Sequence, residues 1–144
     1  MIGRCLKIWS SFFVCFLFLE AAAQPKELDD DNIVWTTQSR NSGESMPCGG
    51  GSIGLNVWVE NSEILFYISR SGSFDENNAL LKSGRVRLKL SPNPFVGSFR
   101  QTLDLKTGAI TIRGTNGKQK VSVHCWVDVF HPVIHLQLTS NRPL

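Results

Sequence analysis

Beyond residue 20 the chain has no apolar run approaching the roughly 20 residues that a membrane-crossing helix needs, so a helical span is excluded there. Charge is also sparse: acidic and basic side chains make up 19% of the 144 residues and the net charge is +3. No cluster of lysine and arginine forms the basic footprint that nucleic acid requires. Helical periodicity is missing too, because no segment repeats its apolar residues every 3.6 positions, and a helical bundle is therefore excluded. Nucleophile and phosphate motifs are absent. Ser45 in GESMP and Ser52 in GGSIG do not fit the G-x-S-x-G elbow, and GGGSIG lacks the lysine of a phosphate-binding loop. The three histidines do not make a metal site either. His131 and His135 are four apart, a spacing that aligns ligands on a helix but separates them by ~13 Å along a strand. His124 and His135 could be cross-strand neighbours, and their expected role is structural. No metal and no cofactor is implied.

The one long apolar run lies at the start. Arg4 and Lys7 precede Ile8 to Leu19, and Ala21-Ala22-Ala23 precedes Gln24. Charged, apolar, then small is the pattern of a secretory signal peptide, here residues 1–23 with cleavage after Ala23. A lipid anchor at Cys15 is disfavoured because Phe12-Phe13-Val14 offers no small residue before the cysteine. The expected location is secreted or periplasmic, with no membrane attachment after cleavage. Removal of the signal takes away Arg4, Lys7 and Glu20, leaving 13 basic and 11 acidic residues, a net charge of +2. Residues 24–32 then form a polar leader around Asp29-Asp30-Asp31. Cys5 and Cys15 leave with the signal. Cys48 and Cys125 remain, and are expected as two separate thiols, a disulfide being the alternative.

What the mature chain has in quantity is alternation. Ile33 to Thr37 is β-branched and aromatic, a first strand. A polar, glycine-rich loop from Asn41 to Ser52 feeds a hairpin, Ile53 to Glu60 and Glu63 to Arg70, turned at Asn61-Ser62. Both hairpin faces are partly apolar, which places it centrally with cover on both sides. Val86, Leu88 and Leu90 alternate with Arg85, Arg87 and Lys89, one face inward and a basic face solvated. Pro92-Asn93-Pro94 ends that strand. Phe99 to Leu105 and Ala109 to Arg113 flank Lys106-Thr107-Gly108, and Thr115-Asn116-Gly117 reads as a type I′ turn. Lys118 to Phe130 is the longest strand, and Val133 to Thr139 follows with Ile134, Leu136 and Leu138 inward. The expected fold for residues 33–144 is all-β, about eight strands in an antiparallel sandwich. With so much apolar surface in so short a chain, it is expected to be an incomplete domain.

The candidate site lies in two polar loops. If the loop after the hairpin (Arg70 to Asn78) returns to the end where the glycine loop enters, Asn41, Glu44, Asp75, Asn77 and Asn78 gather on one rim, with Trp35, Phe74 or Trp58 nearby. Amides and carboxylates beside an aromatic surface suit sugar hydroxyls and ring faces. The competing role for these residues is turn capping. A glycosidase would need two carboxyl groups ~5 to 10 Å apart, and nothing in the spacing of Glu44, Asp75 and Glu76 makes them converge. No catalytic residue is assigned.

Trp35, Glu44-Ser45-Met46-Pro47, Gly49-Gly50-Gly51, Ile53-Gly54 and the following strand resemble the opening of the N-terminal β-sandwich domain of glycoside hydrolase family 95, the α-L-fucosidase type. The run from Trp58 to Phe95 is similar to an uncharacterised domain at the front of secreted glycoside-hydrolase-like proteins of Bacteroidetes. Gly50 stands where the family 95 pattern usually has asparagine, so the resemblance does not extend to fucose. It implies part of a supersandwich, followed by a helical linker and an (α/α)6 barrel carrying the catalytic groups. The expectation is a non-catalytic N-terminal domain of a secreted glycoside hydrolase acting on complex carbohydrate, its partner a C-terminal catalytic domain beyond these residues. A stand-alone carbohydrate-binding module and a structural interaction domain without ligand are the alternatives.

Overall fold

A computed structural model describes residues 31–144. The expected signal peptide at 1–23 and most of the polar leader lie outside the described residues. Nine strands form two antiparallel sheets, and there is no α-helix among the described residues. In chain order the strands are β1 (Ile33–Trp35), β2 (Met46–Gly50), β3 (Ile53–Glu60), β4 (Glu63–Phe74), β5 (Leu80–Lys89), β6 (Ser98–Asp104), β7 (Ala109–Asn116), β8 (Gln119–Val127) and β9 (Ile134–Ser140). One sheet has the order β1-β6-β7-β8-β9 and the other β2-β3-β4-β5. The expectation of an all-β antiparallel sandwich holds.

Alternation puts one face of each sheet into a shared core. Leu55, Val57 and Val59 of β3 and Ile64 and Phe66 of β4 pack with Leu103, Ile110, Ile112, Val121, Val123, Cys125 and Val127 from the other sheet. Gln101 is the polar exception. It is fully buried on β6, and its Nε2 donates to the Val57 carbonyl across the sandwich at 3.1 Å. The central hairpin is also buried on its outer face, where Trp58 and Leu65 are 2% and 4% exposed. Trp58 packs on Tyr67 and its Nε1 donates to Glu60 at 2.9 Å.

Four expectations are corrected. A strand, β2, lies inside the segment read as a glycine loop. There Met46 and Cys48 point inward opposite Val57 and Leu55, but Pro47, Gly49 and Gly50 hide the period of two. The hairpin runs further than its apolar pattern, with β4 reaching Phe74 and β5 beginning at Leu80; register shifts after Ile68 and Ser69 mark the irregular, polar end. The type I′ geometry belongs to Asn61-Ser62, whose φ values are +50° and +65°. At the expected site Asn116 pairs with Gln119 inside the ladder and only Gly117 takes a positive φ, +57°. Finally, β8 stops at Val127, because the Asp128 carboxylate accepts from the amides of Phe130 and His131 at 2.7 and 2.9 Å and turns the chain.

The sheets differ by one strand, which leaves an overhang. β2 packs over β8 and β7, so the core side of β9 extends past it. Leu136 and Leu138 face the same way as their buried neighbours Cys125 and Val123, yet are 39% and 45% exposed. The turn leading into β9 also exposes Val129, Phe130 and Val133, with Phe130 89% exposed.

Candidate functional site

The segment from Thr37 to Ser45 carries the chain from β1 in one sheet to β2 in the other, and backbone needs fix its course. The Ser39 amide donates to the Val59 carbonyl at 2.8 Å, next to the point where β2 stops pairing with β3. Gln38 Oε1 accepts from the Ser62 amide at 2.7 Å, holding the segment to the β3–β4 turn. A single 3-10 turn, Ser42–Glu44, follows, capped by Asn41, whose Oδ1 accepts from the Gly43 amide at 2.8 Å. Glu44 then reaches back. Its carboxylate accepts from the Arg40 amide at 2.8 Å and pairs with the guanidinium at 2.7 Å. The amide of Arg40 and then its guanidinium hold the Glu44 carboxyl below the usual carboxylate range. Glu44 is therefore an anion at neutral pH, suited to accepting hydrogen bonds and unsuited to donating a proton.

This crossing frames a cleft of about 710 Å³ lined by Trp35, Gln38, Ser39, Arg40, Gly43 and Glu44, with Thr37. Its volume falls within the ~300–1,000 Å³ of small-ligand sites. Trp35, partly buried at the end of β1, supplies an aromatic wall. Arg40 and Glu44 supply polar groups of opposite charge.

Asp75, Asn77 and Asn78 lie elsewhere. Asp75 Oδ1 accepts from the amides of Asn77 and Ala79 at 2.9 and 2.8 Å, and Asn78 turns the chain with φ +62°. Their side chains and backbone build the β4–β5 turn. The end of β4 that leads into this turn runs beside the glycine segment: the Ser71 amide donates to the Ser52 carbonyl at 2.8 Å. A second, smaller cleft of about 380 Å³ forms between Gly51, Ser52, Arg70, Ser71, Phe74 and Leu80. The six candidate residues are nonetheless divided. Trp35, Asn41 and Glu44 sit near the Val59 end of β3, and the Asp75 turn sits beyond its Ile53 end, roughly 20 Å away at the rise of a strand. The intervening β2, read from the sequence as loop, is what separates them.

A third group was not foreseen. On the outer face of the five-stranded sheet, Trp126 stacks on His135 across β8 and β9, centroids 4.7 Å apart and planes within 8°. His124 packs on the same Trp126 ring, centroids 5.0 Å apart and planes tilted by 43°, and shares a 3.0 Å hydrogen bond between Nδ1 and Thr111 Oγ1. Alternation in β8 places His124 and Trp126 opposite the valines, but only register brings His135 beside Trp126. His131 lies apart in the Asp128 turn, 3.4 Å from that carboxylate. Asp128 is held below its ordinary range, chiefly by the amides of His131 and Phe130. Among the described residues no three His, Cys, Asp or Glu side chains converge as metal ligands.

Comparison with known families places these features in a lineage. A family profile described as a domain of unknown function (DUF5703), its N-terminal part, matches residues 34–144. No curated protein matches the chain, and no solved structure does. The match begins within β1 and runs through β9, so it spans both sheets and each cleft described above. The chain thus belongs to the DUF5703 family, as its N-terminal domain.

Proposed function

We propose that this sandwich is the non-catalytic N-terminal domain of a secreted glycoside hydrolase acting on complex carbohydrate, and that it supports an (α/α)6 catalytic domain lying beyond residue 144. The observation that carries the reading is the apolar margin of Val129, Phe130, Val133, Leu136 and Leu138 along β9 and the preceding turn. Large apolar side chains gathered on one edge favour a packed neighbour over water. The neighbour proposed is a helical domain, on the strength of the resemblance at Trp35, Glu44 to Pro47 and Gly49 to Gly54. The ionised, arginine-paired Glu44 is unsuited to the general-acid role, since a glycosidase acid must hold its proton at working pH. The test is to express residues 1–144 and the same gene product with its downstream coding sequence, and to assay both on aryl glycosides and plant oligosaccharides. Only the longer protein is expected to hydrolyse them. Hydrolysis by residues 1–144 alone, or a downstream sequence encoding no helical barrel, would refute the proposal.

A second reading, a carbohydrate-binding module, is favoured by the Trp35 cleft, where an aromatic wall stands beside Arg40, Glu44 and Gln38. Calorimetric titration of the chain with oligosaccharides tests it. Binding that disappears in Trp35→Ala supports a module, and no heat with any glycan rejects it.

A further inference from the structure

β2 crosses the end of the other sheet at close range. A Cβ added to Gly50 would lie 2.8 Å from the carbonyl oxygen of Val127 and 3.0 Å from that of Asp128. This approach sets Cys48, two residues upstream and pointing inward, over β8. Cys48 Sγ donates to the backbone carbonyl oxygen of Cys125 at 4.0 Å, which sets the two cysteines against each other in the core. Both are buried, 6% and 0% exposed, and both are free. The residues belong to opposite sheets, so a bond between them would join the sandwich through its core.

The thiols are not equivalent. Cys48 lines a cleft of about 410 Å³ with Pro47, Gly49, Asn56, Leu103 and Gly108, and Cys125 is not part of that lining. The neighbouring Cys125 thiol, aided by the Val127 amide, lowers the pKa of Cys48 against the opposing effect of its burial. The neighbouring Cys48 thiol, then burial, pushes Cys125 above the ordinary thiol range. A thiolate is the attacking species in disulfide exchange, and access decides which sulfur meets the reagent.

We propose that Cys48 and Cys125 are a redox pair that closes into a disulfide between the two sheets, with Cys48 the attacking thiol and Cys125 the resolving one. The co-reactant is a small disulfide, RSSR, entering the cleft beside Gly49 and Gly108. Cys48 loses its proton and attacks one sulfur of RSSR, forming Cys48–S–S–R and releasing one RS⁻. Cys125 then loses its proton and attacks the Cys48 sulfur, displacing the second RS⁻. The two protons end on the released thiols. Cys48 and Cys125 are oxidised by two electrons, and RSSR is reduced to two RSH.

The test uses the full chain with Cys5→Ser and Cys15→Ser, so that only this pair can react. The folded protein is incubated with oxidised glutathione, denatured, alkylated with N-ethylmaleimide and weighed intact. The expected product is lighter by two hydrogens and takes up no maleimide. Adding Cys125→Ala to this background should halt the reaction at a glutathionyl group on Cys48, and adding Cys48→Ala should leave Cys125 unmodified over the same period. The closed form should unfold at a higher urea concentration than the open one. Uptake of two maleimides by the treated parent, or a persistent glutathionyl group beside a free Cys125, would overturn the proposal. So would modification of Cys125 in Cys48→Ala at the rate seen for Cys48 in Cys125→Ala.

Discussion

Replacing Gly50 with alanine adds one methyl group, and the response should run against the usual effect of that change in a strand. Glycine in a strand costs conformational entropy, and an unstrained Gly→Ala stabilises by about 0.4–1 kcal/mol through the unfolded chain. At Gly50 the new Cβ would meet the Val127 and Asp128 carbonyl oxygens at 2.8 and 3.0 Å. Both obstacles are backbone of the opposite sheet, so no rotamer change can relieve them and the sheets must part at that end. Overpacking of this kind costs about 1–3 kcal/mol, for a net loss of about 1–2 kcal/mol once the entropy gain is set against it. With a slope of roughly 2 kcal/mol per molar urea, the unfolding midpoint should fall by about 0.5–1 M, read from tryptophan fluorescence. Gly84 is the control, because its added Cβ meets nothing within 4 Å and its φ is not positive. Gly84→Ala should leave the midpoint unchanged or raise it. If Gly50→Ala is as stable as Gly84→Ala, β2 does not approach β8 as described and the reasoning fails.

Other outcomes follow from the same geometry. Gly114→Ala should destabilise by about 1–3 kcal/mol in urea titration, because its Cβ would lie 2.7 Å from the Pro94 carbonyl oxygen and press on the buried Phe95 ring. Closure of the Cys48–Cys125 bridge should raise the unfolding free energy by about 4–5 kcal/mol, the loop-closure value for so long a separation, measured from urea curves with and without dithiothreitol. Glu44 and Asp128 have folded pKa values below 4.5 and 3.8, their ordinary values. Each therefore lends stability that is present above its unfolded pKa and lost as pH falls through its folded one. Carboxyl carbon chemical shifts should place both midpoints below those ordinary values, and Arg40→Ala should move Glu44 toward 4.5 while leaving Asp128 in place.

How legible these features were in the sequence depended on what set each of them. Strands β3, β7, β8 and β9 were readable because Leu55, Ile110, Val123 and Ile134 sit in strict alternation, a local signal of side-chain burial. β2 was not, since glycine carries no side chain to mark a face and its extended course is set by the neighbouring backbone of β3. The left-handed turn at Gly108 was visible in Lys106-Thr107-Gly108, and φ there is +67°. The Asn61-Ser62 turn took the conformation expected at Asn116-Gly117, because register across the ladder, fixed by Glu60 opposite Glu63 and Asn116 opposite Gln119, decides which residues occupy the bend. The candidate site divided for the same reason. Asn41 and Glu44 are near Asp75 in composition and loop character, but five residues of unrecognised strand carry them to the other end of the sheet. The pairing of Trp126 with His135, and of Cys48 with Cys125, depended on register and sheet stacking that no local pattern encodes.

The apolar margin is the proposed seat of a second domain, and the reactivity of residue 130 tests it directly. Phe130, 89% exposed here, is replaced by cysteine in the chain lacking Cys5 and Cys15, and its alkylation by a water-soluble maleimide is timed in residues 1–144 and in a longer protein that carries the proposed second domain. Fast labelling of the short chain and labelling slowed tenfold or more in the long one is the predicted result. Equal rates in the two proteins would contradict it.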